Sequence, residues 1–160
     1  IKRDSKFNAS INSYPGLWAG FEYVMDGNNS APKFSTGFTA PVGLSFTWGI
    51  NREKGGAIGF FIPIVDVGAV TRFRFDDNNL TESLPEFSFK NIFSPGFHAT
   101  YGFQNSPLTV NIFTQYGPQL KTIDTTLPEG AFFNETFHFG AGLTLDIPLL
   151  NIYTRPYKNL

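Results

Sequence analysis

Only two side chains in this sequence, His98 and His138, can take up and release a proton near neutral pH, so acyl-transfer or proteolytic chemistry would need one of them as its base. Ser94 and Asp124 could complete a Ser/His/Asp set, but no G-x-S-x-G elbow or other frame for a nucleophile is present. A hydrolase or acyltransferase is therefore the least supported reading, and no enzymatic role is assigned. Asp26-Gly27-Asn28-Asn29 and Asp76-Asp77-Asn78-Asn79 carry the oxygen ligands calcium prefers, yet neither completes an EF-hand pattern with its closing Glu. They read as solvated turns. The chain has no Cys, and no metal or cofactor is expected.

A larger polar set falls inside extended segments: Glu22, Arg72, Arg74, His98, Asn111, Gln115, His138 and Asp146. Buried charges need partners, so the simplest reading is an ion-pair network of Glu22 with Arg72 and Arg74 plugging a narrow interior. A polar lining for a solute path is the functional alternative. Arg72 and Arg74 could equally sit at a membrane boundary.

The elements that position these residues are strands. Nineteen Phe, 16 Gly and 11 Pro beside one Met favour strands and turns over helices. From Phe34 to Ile50, the residues Phe34, Phe38, Ala40, Val42, Leu44, Phe46, Trp48 and Ile50 alternate with Ser35, Gly37, Thr39, Pro41, Gly43, Ser45, Thr47 and Gly49. That is the period of a strand. At about 3.3 Å per residue it would run for about 55 Å, so it projects beyond a bilayer with a local bend at Pro41-Val42-Gly43.

Phe137 to Ile147 repeats the pattern, and weaker copies lie at 7–11, 17–25, 97–103 and 108–116, the last interrupted by Phe113. Gly56 to Phe75 is either one strand with a bulge near Asp66-Val67-Gly68 or two short ones. Taken as one, it brings the count to seven. A bacterial barrel has an even number of strands, so at least one is expected to precede Ile1, giving about eight strands or part of a larger barrel. Connections at 13–16, 51–55 and 104–107 are short, and those at 26–32, 76–92 and 118–133 are longer. Pro41, Pro63 and Pro148 fall within strands, where they mark bulges or edges.

A soluble barrel normally carries charge on its water-facing side, yet the Ser/Gly/Thr side of Phe34 to Ile50 has none. Charges gather instead in connections such as 52–54, 76–86 and 121–129. Phe, Leu, Val and Trp suit contact with lipid, and small polar residues suit a narrow lumen. Phe34, Trp48, Tyr101, Phe103, Tyr116, Tyr153 and Tyr157 lie near strand ends, as an interfacial belt requires; a carbohydrate-stacking surface is the alternative. The expected fold is thus all-β, a single domain over 1–160 forming an antiparallel up-and-down transmembrane barrel. A net charge of -1 excludes an electrostatic footprint for nucleic acid. No apolar run reaches the roughly 20 residues of a spanning helix.

Gly16-Leu17-Trp18 resembles the G-x-W signature of lipocalins, which implies a soluble ligand-binding barrel as the first alternative. His138-Phe139-Gly140-Ala141-Gly142-Leu143-Thr144-Leu145 resembles the β-signal that ends outer-membrane proteins, with His138, Gly140, Leu143 and Leu145 at its motif positions. That resemblance implies insertion by the barrel-assembly machinery, although here a tail, Asp146 to Leu160, follows. Stretches 66–71, 84–87, 91–96 and 151–156 resemble large uncharacterised Bacteroidota outer-membrane proteins. The resemblance implies residence in a Gram-negative outer membrane, with lipid and other outer-membrane subunits as partners, in a structural, anchoring or channel role.

Overall fold

The computed structural model describes residues 5–24, 32–50, 55–68, 92–118 and 135–156. These form nine strands and one antiparallel sheet: β1 (Ser5–Ser13), β2 (Gly16–Val24), β3 (Lys33–Thr39), β4 (Pro41–Gly49), β5 (Ala57–Asp66), β6 (Gly96–Gly102), β7 (Leu108–Pro118), β8 (Glu135–Leu145) and β9 (Ile147–Pro156). Their order is β3-β2-β8-β7-β6-β5-β4-β1-β9, with β3 and β9 at the two ends. The all-β antiparallel expectation holds among the described residues. The count of seven does not.

The two additional strands are β9 and the one gained where the 34–50 segment divides at Ala40 into β3 and β4, and the pairing of the first two strands is corrected as well. Residues after Asp146, expected as a tail, form β9, which pairs along β1 from Ser13↔Ile147 to Ser5↔Pro156. Residues 13–16, expected as a short turn, do not close a hairpin: β1 pairs with β4 and β9, whereas β2 pairs with β3 and β8. The bend expected near Pro41 is present as the break at Ala40, and a register shift between Val42 and Gly43 adds a second irregularity. The expected extension of the fifth strand to Phe75 lies outside the described residues beyond Gly68.

Three extended runs are therefore cornered and not ended: β1 into β2 at Tyr14-Pro15, β3 into β4 at Ala40, β8 into β9 at Asp146. A proline lies within two residues of each corner, Pro15, Pro41 and Pro148, and proline cannot donate to a ladder and so favours a change of partner. The corners lie side by side. Tyr14 N donates to Pro41 O at 3.0 Å, and Leu145 N donates to Pro15 O at 2.8 Å. Asp66 holds the β3–β4 corner from the end of β5. Its carboxylate accepts from Thr39 Oγ1 at 2.9 Å, Ala40 N at 2.8 Å and Gly68 N at 2.9 Å.

This cornering forces the sheet to curl. β1 and β2 stand six places apart in the strand order, about 29 Å at the usual strand spacing, yet two residues join them. The registers show the same curl directly. Ser10 pairs with Ser45, Ser45 with Phe61, Phe61 with His98, His98 with Phe113, Phe113 with Gly140, and Gly140 with Gly20. The path leaves the 5–24 run at residue 10 and meets it again at residue 20. Six runs with that offset correspond to a backbone radius of about 7 Å and strands inclined by about 50°. The end strands β3 and β9 are not paired with each other, so the strand order itself stays open. Such tight coiling leaves little room on the inner side: a Cβ at Gly20 would lie 2.2 Å from the Phe139 carbonyl oxygen.

Candidate functional site

The inner side of the curl is polar. Asn8, Ser10 and Asn12 on β1, Ser45 and Thr47 on β4, Thr100 on β6, Thr109, Asn111 and Gln115 on β7, and Thr136 and Thr144 on β8 are all buried. The outer side is apolar and exposed, from Leu17 and Phe21 on β2 through Phe60 and Ile62 on β5 to Leu143 on β8. Alternation along β4 and β5 assigns each residue to its side, as read from Phe34 to Ile50. Where side chains are described, Glu22 is half-buried, Asp66 is buried and Asp146 bonds to buried Asn12, while Lys6, Lys33 and Arg155 stand at or near strand ends. Away from those ends the outer side carries no charge among the described residues.

Arg72 and Arg74 lie outside the described residues, and with them the ion pairs assigned to Glu22. Glu22 meets His138, with Oε1 3.9 Å from Nε2, across the β2–β8 register. Thr136 Oγ1 stands 3.1 Å from the same Nε2 and donates to Gly117 O at 3.0 Å. Gln115 Nε2 donates to Ser94 Oγ at 2.7 Å, and the Ser94 hydroxyl donates to Tyr116 O at 3.1 Å. Asn111 Nδ2 donates to Thr144 Oγ1 at 3.0 Å. Asp146 accepts from Asn12 Nδ2. Asn8 Nδ2 donates to Asn151 Oδ1 at 2.7 Å and to Thr154 Oγ1 at 2.8 Å.

His98 is held by rings. Its centroid lies 5.3 Å from Phe61 and 5.1 Å from Phe113. The contacts continue in both directions, from Phe61 to Tyr14 at 4.6 Å and from Phe113 to Trp18 at 5.7 Å, and Trp18 reaches His138 at 5.7 Å. Tyr14 also shares a 3.1 Å hydrogen bond with Ser45 across the interior. Trp18, Phe61 and Phe113 are the buried aromatics that the polar reading left out. Their signal was large aromatics occupying the parity otherwise held by Gly, Ser, Thr and Asn.

Both Glu22 and Thr136 approach Nε2 of His138. Ser94 is engaged by Gln115 and Tyr116, and Asp124 lies outside the described residues. Of the β-signal positions, His138 and Gly140 face inward, while Leu143 and Leu145 are exposed on the outer side. No group of three or more His, Cys, Asp or Glu residues suited to a metal occurs among the described residues.

Aromatic rows edge the outer side. Tyr116, Phe137 and Tyr23 stand in register across β7, β8 and β2, beside a second row of Phe139, Phe21 and Phe34. Toward the other end, Phe7 lies 5.1 Å from Trp48 and 6.2 Å from Tyr153, and Tyr101 lies 5.3 Å from Phe103. Comparison with protein-family models, with curated proteins and with solved structures found no match.

Glu22→Gln tests whether the His138 contact carries charge. Removing one partner of a half-buried pair should cost up to about 1 kcal/mol, a fall of about 2–4 °C in thermal unfolding temperature. An unchanged melting curve would mean that Glu22 contributes only its shape.

Proposed function

We propose that this chain is a membrane-embedded β-barrel of a Gram-negative outer membrane with a structural or anchoring role. The observation that carries this reading is the inversion of the two sides, with Asn, Ser and Thr buried and Leu, Ile, Phe and Val exposed. In water that arrangement would leave apolar surface far beyond the few hundred Å² a soluble monomer tolerates. In hydrocarbon it is the favourable one, because lipid solvates the apolar side and the seven strands between β3 and β9 have ladder partners on both edges.

Dimensions agree. The 11 residues of β7 at about 3.3 Å each, inclined by about 50°, rise about 23 Å, close to the ~25 Å apolar band of transmembrane barrels. With the corners counted as continuous, the connections alternate in length. Those at 50–56 and 103–107 are short, and those at 25–32, 67–95 and 119–134 are longer. Such alternation of short and longer separations along the chain matches the same class. The turn at 103–107 is tight, closed by Phe103 N donating to Leu108 O at 3.1 Å, with Asn105 at φ 53°. A soluble ligand-binding barrel needs the reverse, an apolar cavity beneath a charged exterior. The resemblances to outer-membrane proteins and to their β-signal point the same way, with the barrel-assembly machinery as the inserting partner.

Flotation tests the proposal. Protein diluted from urea into phosphatidylcholine vesicles should float with the lipid on a density gradient and show β-sheet circular dichroism. Monodisperse protein in detergent-free buffer, left at the bottom of the gradient, would overturn it.

A further inference from the structure

We infer that the interior is sealed to solutes by a septum of aromatic rings, so that the chain serves as a closed anchor and not as a channel; this rests on the membrane reading above. Six rings, Tyr14, Phe61, His98, Phe113, Trp18 and His138, touch in series at centroid distances of 4.6 to 5.7 Å. They come from β5, β6, β7, β2, β8 and the β1–β2 corner, which is to say from nearly the whole circumference. Centroid separations of this size are contact distances between rings. A curl of about 7 Å backbone radius has no room to route water around them. Tyr14 and Phe61 are among the most completely buried side chains of the molecule, and Trp18 and Phe113 are each 5% exposed.

Two sets of polar residues lie toward opposite ends of the ring series. Asn8, Ser10, Asn12 and Asp146 cluster near the β1–β9 pairing, and Glu22, Thr136, Ser94 and Gln115 cluster near the other rim. Asn8 pairs with Ser10 and Asn12 with Asp146 in the first, and Gln115 pairs with Ser94 in the second. A continuous aqueous path needs the two to communicate, and the rings stand between them.

The test is electrical. Full-length protein refolded into vesicles is fused to a planar bilayer in 1 M KCl, and insertion is checked by flotation of the same vesicles. Inserted wild type should give no current steps above the bare-bilayer baseline, whereas Trp18→Ala combined with Phe113→Ala should give discrete steps. Current steps from the wild type would overturn the septum while leaving the membrane reading intact. So would a double variant that inserts and stays silent. If the double variant fails to insert, Phe113→Ala alone replaces it under the same criteria. Wild type that does not float removes the membrane reading, and the septum proposal falls with it.

Discussion

Arginine in place of Ile112 should destabilise the vesicle-embedded protein by roughly 2–4 kcal/mol, the cost of a cation on the lipid side of a barrel near its midplane. Ile112 lies near the middle of β7, points outward and is 58% exposed. Its register partners are Ala99 on β6 and Ala141 on β8, so little packing is lost when it changes. An exposed side chain in water would tolerate the same replacement within about 0.5 kcal/mol. The contrast decides which medium bathes the outer side. Urea unfolding in vesicles, followed by tryptophan fluorescence, measures it, with Ile112→Leu as a control expected to match wild type. Equal midpoints for Ile112→Arg and wild type would argue that water covers this face.

Asp66→Ala should lower stability by roughly 3 kcal/mol, because a buried carboxylate with several donors leaves them unsatisfied when it is removed. Thr39 Oγ1, Ala40 N and Gly68 N would each lose an acceptor in a place with no replacement solvent, since Asp66 is 1% exposed. Asp66→Asn keeps the shape but offers one acceptor oxygen and turns an amide NH₂ toward other donors. It should therefore fall between wild type and Ala. Chemical denaturation of the three proteins in the same vesicles gives the ranking. An Ala variant as stable as wild type would mean that ladder pairing alone holds the β3–β4 corner.

The sequence revealed sides more readily than partners. Alternation from Phe34 to Ile50 assigns Ser45 and Thr47 inward and Phe46 and Trp48 outward, which is where they lie, because parity is a local property of an extended chain. Pairing is not local. Nothing in Ser13-Tyr14-Pro15-Gly16 distinguishes a hairpin turn from a corner, since Pro and Gly serve both. β9 escaped notice for a different reason. Two of the three register shifts against β1 put an extra residue into β9, which breaks the alternation at Leu149-Leu150 and Ile152-Tyr153.

The candidate site was legible in the same uneven way. Glu22, His98, Asn111, Gln115 and His138 all occupy the inward parity they were assigned. Their companions were not readable, because Glu22 meets His138 only through the β2–β8 register, 116 residues along the chain. Asp66 was read as a bulge position. Its signal was a lone carboxylate between Val65 and Val67, and its work as an acceptor for three donors depends on a corner that the sequence does not reveal.

The cornered first run also dictates an order of assembly. Residues 5–24 find neighbours in residues 135–156 along both halves, β1 with β9 and β2 with β8. Residues 5–24 therefore stay half-partnered until residues 135–156, made later, have emerged, and loop closure over such separations is slow. During that wait their greasy flank lies uncovered, so holding the nascent chain unaggregated becomes a requirement that this architecture places on the cell that makes it.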